Sequence, residues 1–106
     1  MEKLVRDKIP ELVQEKGINT YEFSILSEAE YSKKLKEKLL EEVQEYLESE
    51  QLEEIADLAE VLSAICRIKG VTEEELFSVM NKKRQEKGAF DKKILLKTKD
   101  NEHEEN

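Results

Sequence analysis

The sequence predicts an all-α protein, a helical bundle built on an antiparallel helix hairpin. Three observations predict it. Charged residues make up 42% of the 106 residues and apolar ones 38%, with three glycines and one proline, a make-up that suits a small helical protein and not a sandwich or barrel. Apolar residues recur at helical spacing over residues 35–46 and again over residues 55–68. Between the two runs lies a short polar stretch at Ser49 and Glu50, with acids three residues apart on each side of it.

Each element has its own local signals. In MEKLVRDKIPELVQEKG, Asp7 is a candidate cap for a short helix, Pro10 is tolerated in its first turn and Gly17 can end it. Residues 20–26 (TYEFSIL) are β-branched and aromatic, which predicts a short strand or an extended arm. Ser27 with Glu30 is a capping-box signature for a long helix running to about residue 48. The chain then reverses without glycine or proline, and a second long helix runs from about residue 51 to residue 69, ending at Gly70. Thr72 with Glu75 repeats the capping-box pattern ahead of a last helix that ends at Lys87 and Gly88. Residues 94–96 (ILL) are able to pair with residues 21–26 as a small two-stranded β ribbon. One domain is expected over residues 1–96. The polar tail 97–106, which holds His103, is expected to be disordered.

Composition narrows the classes of function. A formal charge of −8 argues against nucleic acid as a partner, because a phosphate backbone demands a basic face. The single Cys66 sits on an apolar helix arc and reads as an inert thiol in a reducing compartment. The amino terminus is charged from Glu2 onward, and no apolar run approaches the length of a membrane span. A cytoplasmic protein without a membrane partner is expected. The second long helix is apolar over more than half its circumference, which predicts a central helix that also packs against another subunit.

The acids carry the chemistry. Glu42 and Glu45 precede the turn, and Glu54 and Asp57 follow it. Each pair spans about one helical turn, so its carboxylates leave one face. Folding at the turn sets Glu45 opposite Glu54 and Glu42 opposite Asp57. Four carboxylates between antiparallel helices suit a hard divalent cation such as Mg2+. With 26 acids in the chain, random placement yields roughly six pairs at this spacing, so spacing alone leaves surface acids and internal ion pairs as competing readings. Wheel position says more. At about 100° per residue, Glu54 falls between Val61 and Ile65, inside the apolar arc, and Asp57 at its edge. Glu42 flanks the apolar stripe of Leu35, Leu39, Val43 and Tyr46, with Glu45 and Lys38 one step further out, while Glu41 points away. A buried carboxylate needs a cation, a proton or a basic partner.

With a divalent cation present, phosphate chemistry is the natural use, and phosphates also need basic groups. Lys38 lies one turn before Glu42, Lys3, Arg6 and Lys8 lie in the opening segment, and Lys82, Lys83, Arg84 and Lys87 end the last helix. No Gly-rich phosphate loop, CxxC pair or G-x-S-x-G elbow is present. No histidine precedes the tail, so a general base has to be a carboxylate or a metal-bound hydroxide, with Glu42 and Glu45 the candidates where the site meets solvent.

EEVQE at residues 41–45 followed by EIAD at residues 54–57 resembles the E-E-x-x-E … E-x-x-D signature of the all-α nucleoside triphosphate pyrophosphohydrolases, among them MazG-like proteins and the phosphoribosyl-ATP pyrophosphohydrolase of histidine synthesis. The opening KLVRDKIPE and the closing KGAFDKKI are similar to a small MazG-like branch, so the likeness runs from about residue 3 to residue 96. It implies Mg2+-dependent hydrolysis of the α–β phosphoanhydride of a nucleoside triphosphate, giving monophosphate and pyrophosphate in a house-cleaning role. It further implies Glu42, Glu45, Glu54 and Asp57 as metal ligands, Lys83 and Lys87 on the substrate phosphates, and a homo-oligomer, dimer or tetramer. Lys38 is expected to help neutralise the polyphosphate. The chain has Lys87, Gly88, Ala89 and Phe90 where the family pattern is Arg-Gly-Gly-Phe, which bears on substrate choice. Phosphoribosyl-ATP as substrate, and a non-catalytic helical module for oligomerisation or partner binding, are the alternatives.

Overall fold

The computed structural model describes residues 1–99. Four helices follow one another, α1 (Ile9–Glu15), α2 (Glu28–Ser49), α3 (Leu52–Ile68) and α4 (Glu73–Lys87), with no strand among the described residues. The protein is therefore all-α, and α2 and α3 pack on each other as a helical hairpin. The chain divides into two compact units, Met1–Glu73 and the segment from Glu74 onward.

The helix ends follow from local chemistry. α2 starts on a complete capping box: the Ser27 hydroxyl accepts from the Glu30 backbone N–H at 3.3 Å, and the Glu30 carboxylate accepts from the Ser27 N–H at 3.4 Å. α1 differs from expectation. Its N-cap is Lys8, with no side-chain cap bond, so Asp7 does not cap it; Pro10 takes the first turn as expected. α3 ends where Gly70, at φ 73°, lets its own N–H reach the Arg67 carbonyl and that of Val71 reach the Cys66 carbonyl. The α2–α3 turn has no glycine for that purpose, so Glu50 itself takes the left-handed conformation at φ 54°, its N–H closing on the Tyr46 carbonyl at 2.7 Å. A residue with a Cβ is strained there.

The expected β ribbon does not form. Residues 21–26 and 94–96 carry no regular structure, and Ile25, Ile94, Leu95 and Leu96 are exposed. Two short strands alone are marginal in water without a face to pack on. Residues 97–99 are irregular, and the remainder of the tail, His103 included, lies outside the described residues. No described helix is long and apolar enough to cross a membrane.

The core sits in the hairpin. Leu35 of α2 and Val61 and Ala64 of α3 are buried, and Leu4, Tyr31, Leu39 and Ile65 pack against them half-buried. Leu4 ties the amino-terminal arm, residues 1–8, to this core. Cys66 is half-buried and free.

Candidate functional site

Four side chains of α2 make one charged strip. Lys38 lies three and four residues before Glu41 and Glu42, and Glu45 lies four and three residues after them, the spacing that stacks side chains on one side of a helix. Lys38 Nζ lies 3.1 Å from Glu41 Oε2 and 3.3 Å from Glu42 Oε1. Oxygens of Glu41, Glu42 and Glu45 all lie within 4.8 Å of one another.

Glu42 is the unusual member. It is 4% exposed, the one charged residue buried among those described, and its Oε2 has no hydrogen-bond partner. The packing of α2 on α3 dries this carboxylate, since it flanks the stripe that meets Val61 and Ala64. Leaving a charged acceptor buried and unpaired costs on the order of 1–3 kcal/mol or more. The opposite oxygen is held by Lys38, so one half of the carboxylate is compensated and the other is not.

The titrations follow this geometry. Glu45 is exposed, and its carboxyl is raised above the usual range: once protonated it gains a hydrogen bond with Glu42, and the Glu42 charge repels its ionised form. For Lys38, burial opposes the charged form, but its hydrogen bonds to Glu41 and Glu42 and their charges outweigh it, so its ammonium is held above the ordinary lysine value. The stability this adds is fully present below the ordinary lysine value and fades as pH rises through the raised one.

The structure assembles the expected acids only in part. Glu42 and Glu45 come together, and Glu41 joins them, although its wheel position points it away; a glutamate is long enough to swing along the helix to the shared cation Lys38. Glu54 and Asp57 of α3 do not belong to this close group. Glu54 is half-buried. Asp57 accepts a 2.6 Å hydrogen bond from Arg6 Nη2 in the amino-terminal arm, 51 residues away in sequence. Lys3 of the same arm stands 3.7 Å from Glu41 Oε1. A groove of about 300 Å3 between the first residues and α2 is lined by Lys3, Lys34 and Lys38 and by Glu2, Glu37 and Glu41. Lys83 and Lys87 stand exposed on α4, in the second unit.

Glu41, Lys3, Leu4 and Arg6 as parts of the site escape the helical wheel. The sequence signal for Glu41 is its place as the first acid of EEVQE, and that for Lys3, Leu4 and Arg6 is the opening KLVRDK, two cations three apart around an apolar pair. Three close carboxylates, one of them buried with a free oxygen, are a hard donor set that fits Mg2+ or Ca2+ and offers nothing to a soft metal.

Fold and site together define an all-α protein whose helix hairpin bears a half-compensated carboxylate cluster. The chain matches no protein-family model, no curated protein and no solved structure.

Proposed function

We propose that the protein is a Mg2+-dependent nucleotide pyrophosphohydrolase that splits the α–β phosphoanhydride of nucleoside triphosphates. The observation that carries this reading is the unpartnered Oε2 of buried Glu42, set beside Glu41 and Glu45. A carboxylate oxygen kept dry and uncompensated is stabilised by a cation that the protein itself does not supply. The likeness of the acid pattern to the all-α pyrophosphohydrolases names the reaction.

Glu41, Glu42 and Glu45 would hold the ion, with Glu54 and Asp57 completing the set from α3. Mg2+ supplies charge neutralisation and Lewis-acid polarisation of the phosphates when bound. Lys38, 3.3 Å from Glu42 Oε1, orients that carboxylate. Glu45 is exposed, and its raised proton affinity suits it to accept a proton from water at its carboxylate. The likeness assigns Lys83 and Lys87 to substrate phosphates. The working form is a homo-oligomer, dimer or tetramer.

Pyrophosphate release from a panel of nucleoside triphosphates, with Mg2+ and then with chelator, tests the proposal. Chelator-sensitive release supports it. No turnover, together with a melting temperature indifferent to Mg2+, sinks it. A second reading, a non-catalytic helical module for oligomerisation, then takes its place; it is favoured by the exposure of Leu40, Leu47, Leu52, Ile55 and Leu62 along the hairpin.

A further inference from the structure

The amino-terminal arm lies across the hairpin in a particular way. Leu4 packs against the core of α2 and α3. On one side of it Lys3 reaches Glu41 of α2, and on the other Arg6 reaches Asp57 of α3. Three residues of backbone span at most about 10 Å, so a single short stretch places one cation on each helix.

A cation stands beside each oxygen of Glu41, Lys3 3.7 Å from Oε1 and Lys38 3.1 Å from Oε2. A metal that takes an oxygen of Glu41 meets the repulsion of these two cations, and binding is eased when one of them moves away. Lys38 is 18% exposed and is also bound to Glu42, whereas Lys3 is 47% exposed and makes the longer contact. Lys3 is therefore the cation that yields. Asp57 Oδ1 is likewise held by Arg6, whose side chain is 57% exposed. Exposed ion pairs are weak and open readily, whereas the apolar anchor at Leu4 does not depend on them.

We propose that the arm is a built-in competitor for the metal: Lys3 and Arg6 hold Glu41 and Asp57 in the cation-free protein, and a divalent cation displaces both side chains while Leu4 stays seated. This inference rests on the metal reading of the acid cluster, whose independent support is the free buried oxygen of Glu42. It adds a regulatory consequence. The affinity for the cation is lowered by the fraction of molecules in which the arm is closed. The released Lys3 and Arg6 then stand beside the site as free cations, available to a polyphosphate.

The test compares Mg2+ binding by calorimetry in the full-length wild type, in K3Q/R6Q and in K97Q/K99Q, which removes the same charge from the far end of the chain. K3Q/R6Q is expected to bind Mg2+ roughly threefold to tenfold more tightly than K97Q/K99Q. In parallel, the Arg6 guanidinium resonances of the wild type are followed by NMR during Mg2+ titration. They are expected to move, saturating with the calorimetric isotherm, as the bond to Asp57 opens. Equal affinity in the two double variants, or Arg6 resonances that stay fixed as Mg2+ saturates the protein, overturns the arm's role while the metal site stands. Absence of Mg2+ uptake by every form overturns both. The resonance measurement decides the matter even if K3Q/R6Q does not fold.

Discussion

Glu42 concentrates the chemistry of this protein in one side chain. Its Oε1 is held by Lys38 and its Oε2 faces no donor. Glu42→Gln removes the charge that attracts a cation but keeps the shape. It should abolish Mg2+-dependent turnover and the Mg2+-induced rise in melting temperature, with metal-free stability within about 1 kcal/mol of wild type. A variant whose melting temperature still climbs with Mg2+ would remove Glu42 from the site. Lys38→Met strands the buried carboxylate without a compensating cation, and should cost about 1–3 kcal/mol in denaturant unfolding. Glu45 sets a pH dependence. Its folded-state pKa is raised above the ordinary 4.5 by its protonated bond to Glu42 and by the Glu42 charge. Between 4.5 and that raised value the folded chain holds more protons than the unfolded one, so this group's contribution to stability falls as pH rises through the window. Cation uptake runs the other way and weakens as pH falls through it, because the proton and the metal compete for one carboxylate. Melting curves across this range, with and without Mg2+, check both signs. A Mg2+ effect constant down to the bottom of the window would contradict the assignment.

Among the helices, the α2–α3 hairpin decides where the charged strip sits, and its turn is held under strain. Glu50 takes φ 54° at the end of α2, a position that glycine fills at no steric cost, as Gly70 does after α3. Glu50→Gly should raise stability by about 0.5–1 kcal/mol, measured by denaturant unfolding; a loss of stability would mean that the glutamate side chain contributes more than its backbone costs. The hairpin itself is legible in the amino-acid sequence. Its reversal at Ser49 and Glu50, the capping box at Ser27 and Glu30 and the stop at Gly70 are all local events, dictated by residues within one or two turns. The strand pattern at residues 20–26 misleads for the opposite reason: alternation shows that a segment can extend, and a partner with a face to cover decides whether it pairs.

For the molecule as a whole, the core is thin. Three apolar residues are buried among those described, Leu35, Val61 and Ala64. Outside them, α2 carries Leu40, Val43 and Leu47 as an uncovered apolar stripe, and α3 carries Ile55 and Leu62 seven residues apart on one face. Exposed stripes of this kind mark association surfaces. The purified protein should therefore sediment as a dimer or tetramer, and the paired substitution Leu40→Glu, Leu47→Glu should weaken assembly by about tenfold or more. Sedimentation velocity over a concentration series measures this, and a wild type monomeric at every concentration would refute it. The local code of the chain is enough to specify four helices, the hairpin and the row of acids along α2, because helical period and end-capping act over a few residues. Which acids are buried, and which are claimed by distant cations, is settled by tertiary packing. Glu42 is buried against the core, Asp57 is claimed by an arginine 51 residues earlier, and Leu4 carries two cations onto the hairpin. Contacts of that sequence separation depend on how apolar surfaces seat against each other, and nothing in the spacing of charges along the chain records that.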